Sequence, residues 1–71
     1  MTLQSKVLQI ESRLTSAASS VDAMCKMAEI ARSTWVRWKA GRNSPNFETW
    51  DRVEAAVAEI EAEYKAREDA A

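Results

Sequence analysis

Ser33–Pro45 reads STWVRWKAGRNSP and sets Arg37, Lys39 and Arg42 among Trp35 and Trp38, with no acid in the stretch. A guanidinium offers paired N–H donors that match a phosphate or a base edge, and an ammonium offers a point charge. This is binding chemistry for an anion. Bond-breaking chemistry has much less to draw on. There is no histidine and one cysteine, so neither a zinc site nor a nucleophile–base pair is expected. Cys25 reads as a small buried hydrophobe. Glu59, Glu61 and Glu63 alternate, which spreads them around a helix as a solvated face. The expectation is a non-enzyme with no catalytic residue, no cofactor and no metal.

The charge is unevenly placed. Residues 1–46 carry seven cations against three acids, a balance of +4, whereas residues 47–71 carry three against eight, a balance of −5. Such halves suit a front that faces a polyanion and a solvated or partner-facing rear. At 71 residues the chain has room for one small core, expected as a single domain over 1–71. No apolar run approaches the ~18 residues of a membrane span, and the N-terminal stretch lacks the pattern of a signal peptide. A cytoplasmic location and no membrane partner are therefore expected.

The elements that position these cations are helical, since glycine and proline occur once each. Leu3, Val7, Ile10 and Leu14 form one stripe and predict a helix over about 2–17, with Thr2 as a candidate cap. Ser19 followed by Asp22 predicts the cap of a second helix over about 20–28, burying Met24, Cys25 and Ala28. Glu29–Ala31 reads as a tight turn. A third helix starts at 31 or 32 and runs to 40, stopped by Gly41. Ser44-Pro45 then opens a last helix over about 45–68, with Trp50, Val53, Val57, Ile60 and Tyr64 on one stripe. The polar tail KAREDAA is expected to fray. The predicted fold is all-α, a compact bundle of four to five helices with an extended C-terminal helix.

At 100° per residue, Trp35 and Trp38 lie about 60° apart on the third helix, with Ala31 between them as an inward stripe. Ser33, Val36, Arg37 and Ala40 then face outward, with Arg32 at the shoulder. Arginine can bond bidentately to guanine, and a valine or alanine methyl can touch that of thymine, so this face suits a major groove.

Residues 21–57, VDAMCKMAEIARSTWVRWKAGRNSPNFETWDRVEAAV, resemble the helix-turn-helix of phage Cro and repressor proteins and their bacterial relatives, the lambda-repressor-like family. That pattern has apolar and small residues on a first helix, a turn, then T-[IV]-x-R-W-x-x-G, a proline and a further helix. Met24 and Cys25 take the first positions and Ala28 and Ile30 flank the turn. Thr34–Gly41 matches the second half, and Pro45-Asn46-Phe47 and Val53 continue it. Three positions depart. Glu29 stands where glycine is usual, in an expected positive-φ conformation that costs about 1 kcal/mol. Ala31 replaces a Ser or Thr cap, and Trp35 replaces a smaller Val or Ile.

The resemblance implies a motif over about 20–40 in which Arg32, Ser33, Val36 and Arg37 read bases. It implies that Arg42, Asn43, Ser44 and Asn46 hold phosphates, with Lys26 and Lys39 as further phosphate contacts. The implied activity is sequence-specific binding of double-stranded DNA by a transcriptional regulator, most simply a repressor on a palindromic operator. Such a protein works in the bacterial or phage-infected cytoplasm, at the nucleoid, and no small-molecule effector is expected. Ile60 and Tyr64 exceed what the motif's core needs. Either they pack against Leu3 and Val7, or they contact a second subunit; a homodimer is the expectation, since paired half-sites multiply specificity. Two alternatives are an architectural or recombination accessory DNA-binding protein, and a protein-interaction module using the acidic last helix.

Overall fold

The apolar stripe at the start of the chain sets the first helix, and small residues after it let the chain reverse. A computed structural model describes residues 3–42 and 44–70, and these are helical with no strand among them. Four helices follow in order: α1 (Leu3–Ser16), α2 (Val21–Ala28), α3 (Arg32–Lys39) and α4 (Phe47–Ala70). Thr2, the expected cap of α1, lies outside the described residues.

Each helix contributes one buried face to a shared core. Val7, Ile10, Leu14 and the following Ala17 meet Met24, Cys25 and Ala28 of α2, Trp35 and Trp38 of α3, and Val53, Ala56, Val57 and Ile60 of α4. No charged or polar residue is buried among those described. Ala31, expected between the two tryptophans on the inward stripe, is instead exposed, because it precedes the helix as its N-cap. The indoles pack edge on, with ring centroids 5.8 Å apart, and Trp38 continues to Trp50 of α4 at 6.2 Å.

α1 and α4 run side by side in the same direction. Leu3 and Trp50 line one groove near their N-terminal ends, and further along Arg13 forks onto Glu61, with its Nε 3.1 Å from Oε2. Ile60 and Tyr64 therefore lie beside Ala17–Ser19 and not against Leu3 and Val7. Ile60 is only 8% exposed, so its side chain completes the core of a single chain and offers almost nothing to a second subunit.

The first three helices end alike. Ser19 donates to the Leu14 carbonyl, Ile30 to Cys25 and Arg42 to Arg37, each bond spanning five residues and closing a Schellman turn. The residue before each donor is left-handed: Ala18 at φ 53°, Glu29 at 59° and Gly41 at 76°. Glu29 thus adopts the positive φ expected of it. Ala18 does the same without any sequence signal to announce it.

Two caps fall one or two residues later than expected. Ser20, not Ser19, accepts the Ala23 N–H at 3.2 Å. Asn46, not Ser44, accepts the Thr49 N–H at 2.7 Å, so α4 begins at Phe47 and Pro45 stays outside it. Asparagine caps at least as well as serine, and here its carbonyl reaches the third amide of the helix. At the other end, the tail expected to fray continues α4 to Ala70, and Arg67 pairs with Glu63 one turn back at 3.0 Å.

Two measurements follow from this frame. An alanine or glutamate held left-handed costs about 1 kcal/mol relative to glycine. Ala18→Gly and Glu29→Gly should therefore each raise the unfolding free energy by ~0.5–1 kcal/mol in urea titrations. The hydrogen bond from Arg13, opposed by desolvation and helped by the Arg13 charge, holds the Glu61 carboxyl below the usual glutamate range. A depressed folded pKa stabilises above the ordinary value and loses that contribution as pH falls through the folded one. Glu61→Gln should accordingly lose less stability than the parent between neutral pH and about pH 3; both side chains are about two-fifths exposed, so the difference is small.

Candidate nucleic-acid interface

α3 spans eight residues, and two of them hold it down. Trp35 and Trp38 are 2% and 3% exposed, so the opposite side of the helix is free of any packing duty. Arg32, Ser33, Val36, Arg37 and Ala40 are all exposed there, with Val36 at 56%. The four residues expected to read bases thus share one accessible, acid-free helix face. Ala31 caps α3 with extended backbone (φ −73°, ψ 144°) and no side-chain bond, which leaves no hydroxyl over the first amides.

α1 fixes how α3 sits. Trp35 Nε1 donates to Glu11 Oε2 at 3.2 Å, and Lys39 Nζ lies 3.0 Å from Oε1 of the same carboxylate. Trp35 and Lys39 are one turn apart on α3, so a single Glu11 side chain spans that turn. Two turns earlier on α1, Gln4 Nε2 reaches the Lys39 carbonyl at 3.5 Å. The same Gln4 amide lies 3.1 Å from where a Cβ on Gly41 would stand, so the turn after α3 is closed against α1. Neither Glu11 nor Gln4 is signalled in the sequence; their partners lie 24 to 35 residues away and leave no periodic trace.

The expected phosphate contacts fall into three groups. Lys26 on α2 and Arg42 after α3 are exposed and make no ion pair among the described residues, as is also true of Arg37. Lys39 is engaged by Glu11, and Arg32 by Asp22 of α2 at 3.0 Å. The Arg32 pair is exposed on both sides, so it is worth at most about 1 kcal/mol and exchanges readily for another anion. Ser44 is exposed, while the Asn46 carbonyl oxygen is committed to capping α4. Asn43 lies outside the described residues.

No thiol chemistry competes for this face. Cys25 is 4% exposed, and burial, with help from Asp22 and against Arg32, pushes its thiol up and keeps it protonated. Among the described residues no group of three or more Cys, Asp or Glu is placed to hold a metal ion. No helix among them is long and apolar enough to cross a membrane.

Comparison with protein-family models, with curated proteins and with solved structures gives no match to this chain.

Glu11 is the testable element of this geometry. Glu11→Ala strands the Trp35 N–H beside the core and should cost about 1–3 kcal/mol in chemical denaturation. Glu11→Gln keeps an acceptor for the indole and should cost distinctly less. Equal losses from both variants would show that the Lys39 charge, and not the indole bond, carries the interaction.

Proposed function

We propose that α2, the Glu29–Ala31 turn and α3 form a helix-turn-helix that binds duplex DNA in a sequence-specific manner, and that the chain is a small transcriptional regulator of the phage repressor type. One observation carries the reading. α3 is held by two buried indoles on one side and presents Arg32, Ser33, Val36 and Arg37, all exposed, on the other. A helix with this division suits a major groove, because its outward side bears no acid of its own and the one acid paired with it, Asp22 on Arg32, is exposed and exchangeable. Guanine O6 and N7 accept the Arg37 fork, and the Val36 methyls suit the methyl of thymine. Lys26 and Arg42, which make no ion pair among the described residues, supply the cations that register the helix against phosphates.

Repression by occupancy of an operator is the simplest action that such duplex binding allows. A dimer on a palindromic site fits the reading, since one eight-residue helix contacts few base pairs and two half-sites one turn apart multiply the discrimination.

Selection from a random duplex library at near-physiological salt tests the proposal directly. An enriched inverted repeat is the expected outcome. Retention without any preferred sequence, lost steeply as salt rises, would replace it with an architectural role. On the selected site, Arg37→Ala should cost ~1–3 kcal/mol and relax the preference at one position. Arg42→Ala should weaken all sequences equally and flatten the salt dependence.

A further inference from the structure

Lys39 is the cation of α3 that is turned back toward α1. Its Nζ lies 3.0 Å from Oε1 and 3.3 Å from Oε2 of Glu11, so the ammonium straddles one carboxylate. The Lys39 carbonyl accepts from Gln4, one helix face of α1 further back, at 3.5 Å. Side chain and backbone of the same residue are thus both engaged by the first helix.

The acid is the fixed member of the pair. Glu11 also accepts the Trp35 N–H at 3.2 Å, and that indole is buried. The Glu11 side chain is only 24% exposed, against 57% for Asp22 in its pair with Arg32. Lys39 is half-exposed and can swing away at little cost, as surface cations do. Glu11 has no such freedom, because moving it would strand the indole N–H beside the core. A phosphate that attracts Lys39 therefore meets a carboxylate that stays in place and repels it. In sequence Lys39 and Arg42 are equivalent cations three residues apart, yet only Lys39 has an acid built in beside it.

We infer that Glu11 is a positioning residue that withholds Lys39 from the DNA backbone while it seats Trp35, so that the interface engages phosphates through Lys26 and Arg42 without Lys39. The inference rests on the duplex binding proposed above. Each ammonium paired with a phosphate adds affinity for every sequence alike. Neutralising one of them inside the fold lowers that indiscriminate attraction and leaves Arg32, Ser33, Val36 and Arg37 untouched. It also ties the seating of α3 and the number of its phosphate contacts to one carboxylate.

Duplex affinity against salt concentration, measured with the full chain on a mixed-sequence duplex, tests the inference; thermal melts by circular dichroism check that each variant is folded. Lys39→Met, which keeps most of the side-chain stem, should leave the parent's salt slope unchanged, whereas Arg42→Ala flattens it. Glu11→Gln keeps an acceptor for the indole and frees the ammonium. It should steepen the slope by ~0.9, an extra loss of about 3–4-fold in affinity between about 50 and 200 mM salt. In the Lys39→Met background the same Glu11→Gln change should leave the slope alone, which separates a freed cation from a lost acid. A slope flattened as much by Lys39→Met as by Arg42→Ala, or steepened by Glu11→Gln even without Lys39, overturns the inference and leaves duplex binding standing. If neither the parent nor any variant is retained by a duplex, the duplex reading falls, and nitrogen relaxation of the lysine ammonium groups decides the pairing by itself. Lys39 should then be more restrained than Lys26 in the parent and as mobile as Lys26 in Glu11→Gln; equal mobility in the parent overturns the hold of Glu11 on Lys39.

Discussion

Everything in this chain turns on the attachment of a helix too short to stand by itself. Eight residues make little more than two turns, well below the length at which an isolated helix holds in water. Fixing eight backbones costs about 8–16 kcal/mol, and burying two indoles returns about 8–12 kcal/mol. The two terms are of one size, so α3 exists because Trp35 and Trp38 are tryptophans. Smaller residues at these positions would bury too little area and would demand a third or fourth apolar side chain on so short a helix. That demand would consume the outward face. Concentrating the anchorage into two large rings is what leaves the side of α3 that bears Arg32, Ser33, Val36 and Arg37 out of the core.

The same economy governs the turns. Three helices must reverse within a few residues to return their faces to one core, and each does so through a left-handed residue. Only Gly41 adopts that conformation without penalty. Ala18 and Glu29 accept it because the five-residue hydrogen bond that follows, together with burial of neighbouring Ala17 and half-burial of Ile30, outweighs about 1 kcal/mol of strain at each. The angle between α2 and α3 is therefore set by backbone hydrogen bonds and packing. Glu29 takes part through its backbone N–H, which donates to the Lys26 carbonyl, while the residue as a whole is exposed.

Features governed by local pattern were legible in the sequence. The Leu3–Leu14 stripe, the stop at Gly41, the positive φ of Glu29, the burial of both α3 tryptophans and the exposed arginine face all follow from periodicity or from one residue's conformational range. Features decided between near equals were not. Ser19 and Ser20 are equally good caps, and only the backbone path shows which hydroxyl meets an amide. Ser44-Pro45 is a strong opening signal, yet Asn46 lies closer to the first turn that packs. Features decided at long range left no signal at all. Glu11 looks like any surface acid on α1 until α3 is laid against it, and Phe47 looks like a core residue until the register of α4 turns it outward.

Charge pairing within the fold sorts the cations of the first half. Arg13 is tied to Glu61 on the side of α1 away from α3, and Lys39 is tied to the acid that positions the helix. Lys26, Arg37 and Arg42, spread over α2, α3 and the loop that follows, make no ion pair among the described residues. Arg32 stands between these groups. Its bond to Asp22 joins the first turns of α2 and α3, and both groups remain well exposed. In water such a pair gains little, so an incoming phosphate or guanine can take the guanidinium without a large loss. Before that exchange, Asp22 limits the conformations Arg32 can adopt, and ordering a long side chain in advance lowers the entropy to be lost on binding. Asp22 can therefore both hold the arginine near the proposed groove and, being an acid at the same edge, disfavour phosphates that approach without displacing it. On the duplex reading, this one weak pair would make the first turn of α3 selective for partners that engage Arg32 fully, while Arg37, which makes no ion pair among the described residues, would carry no such condition.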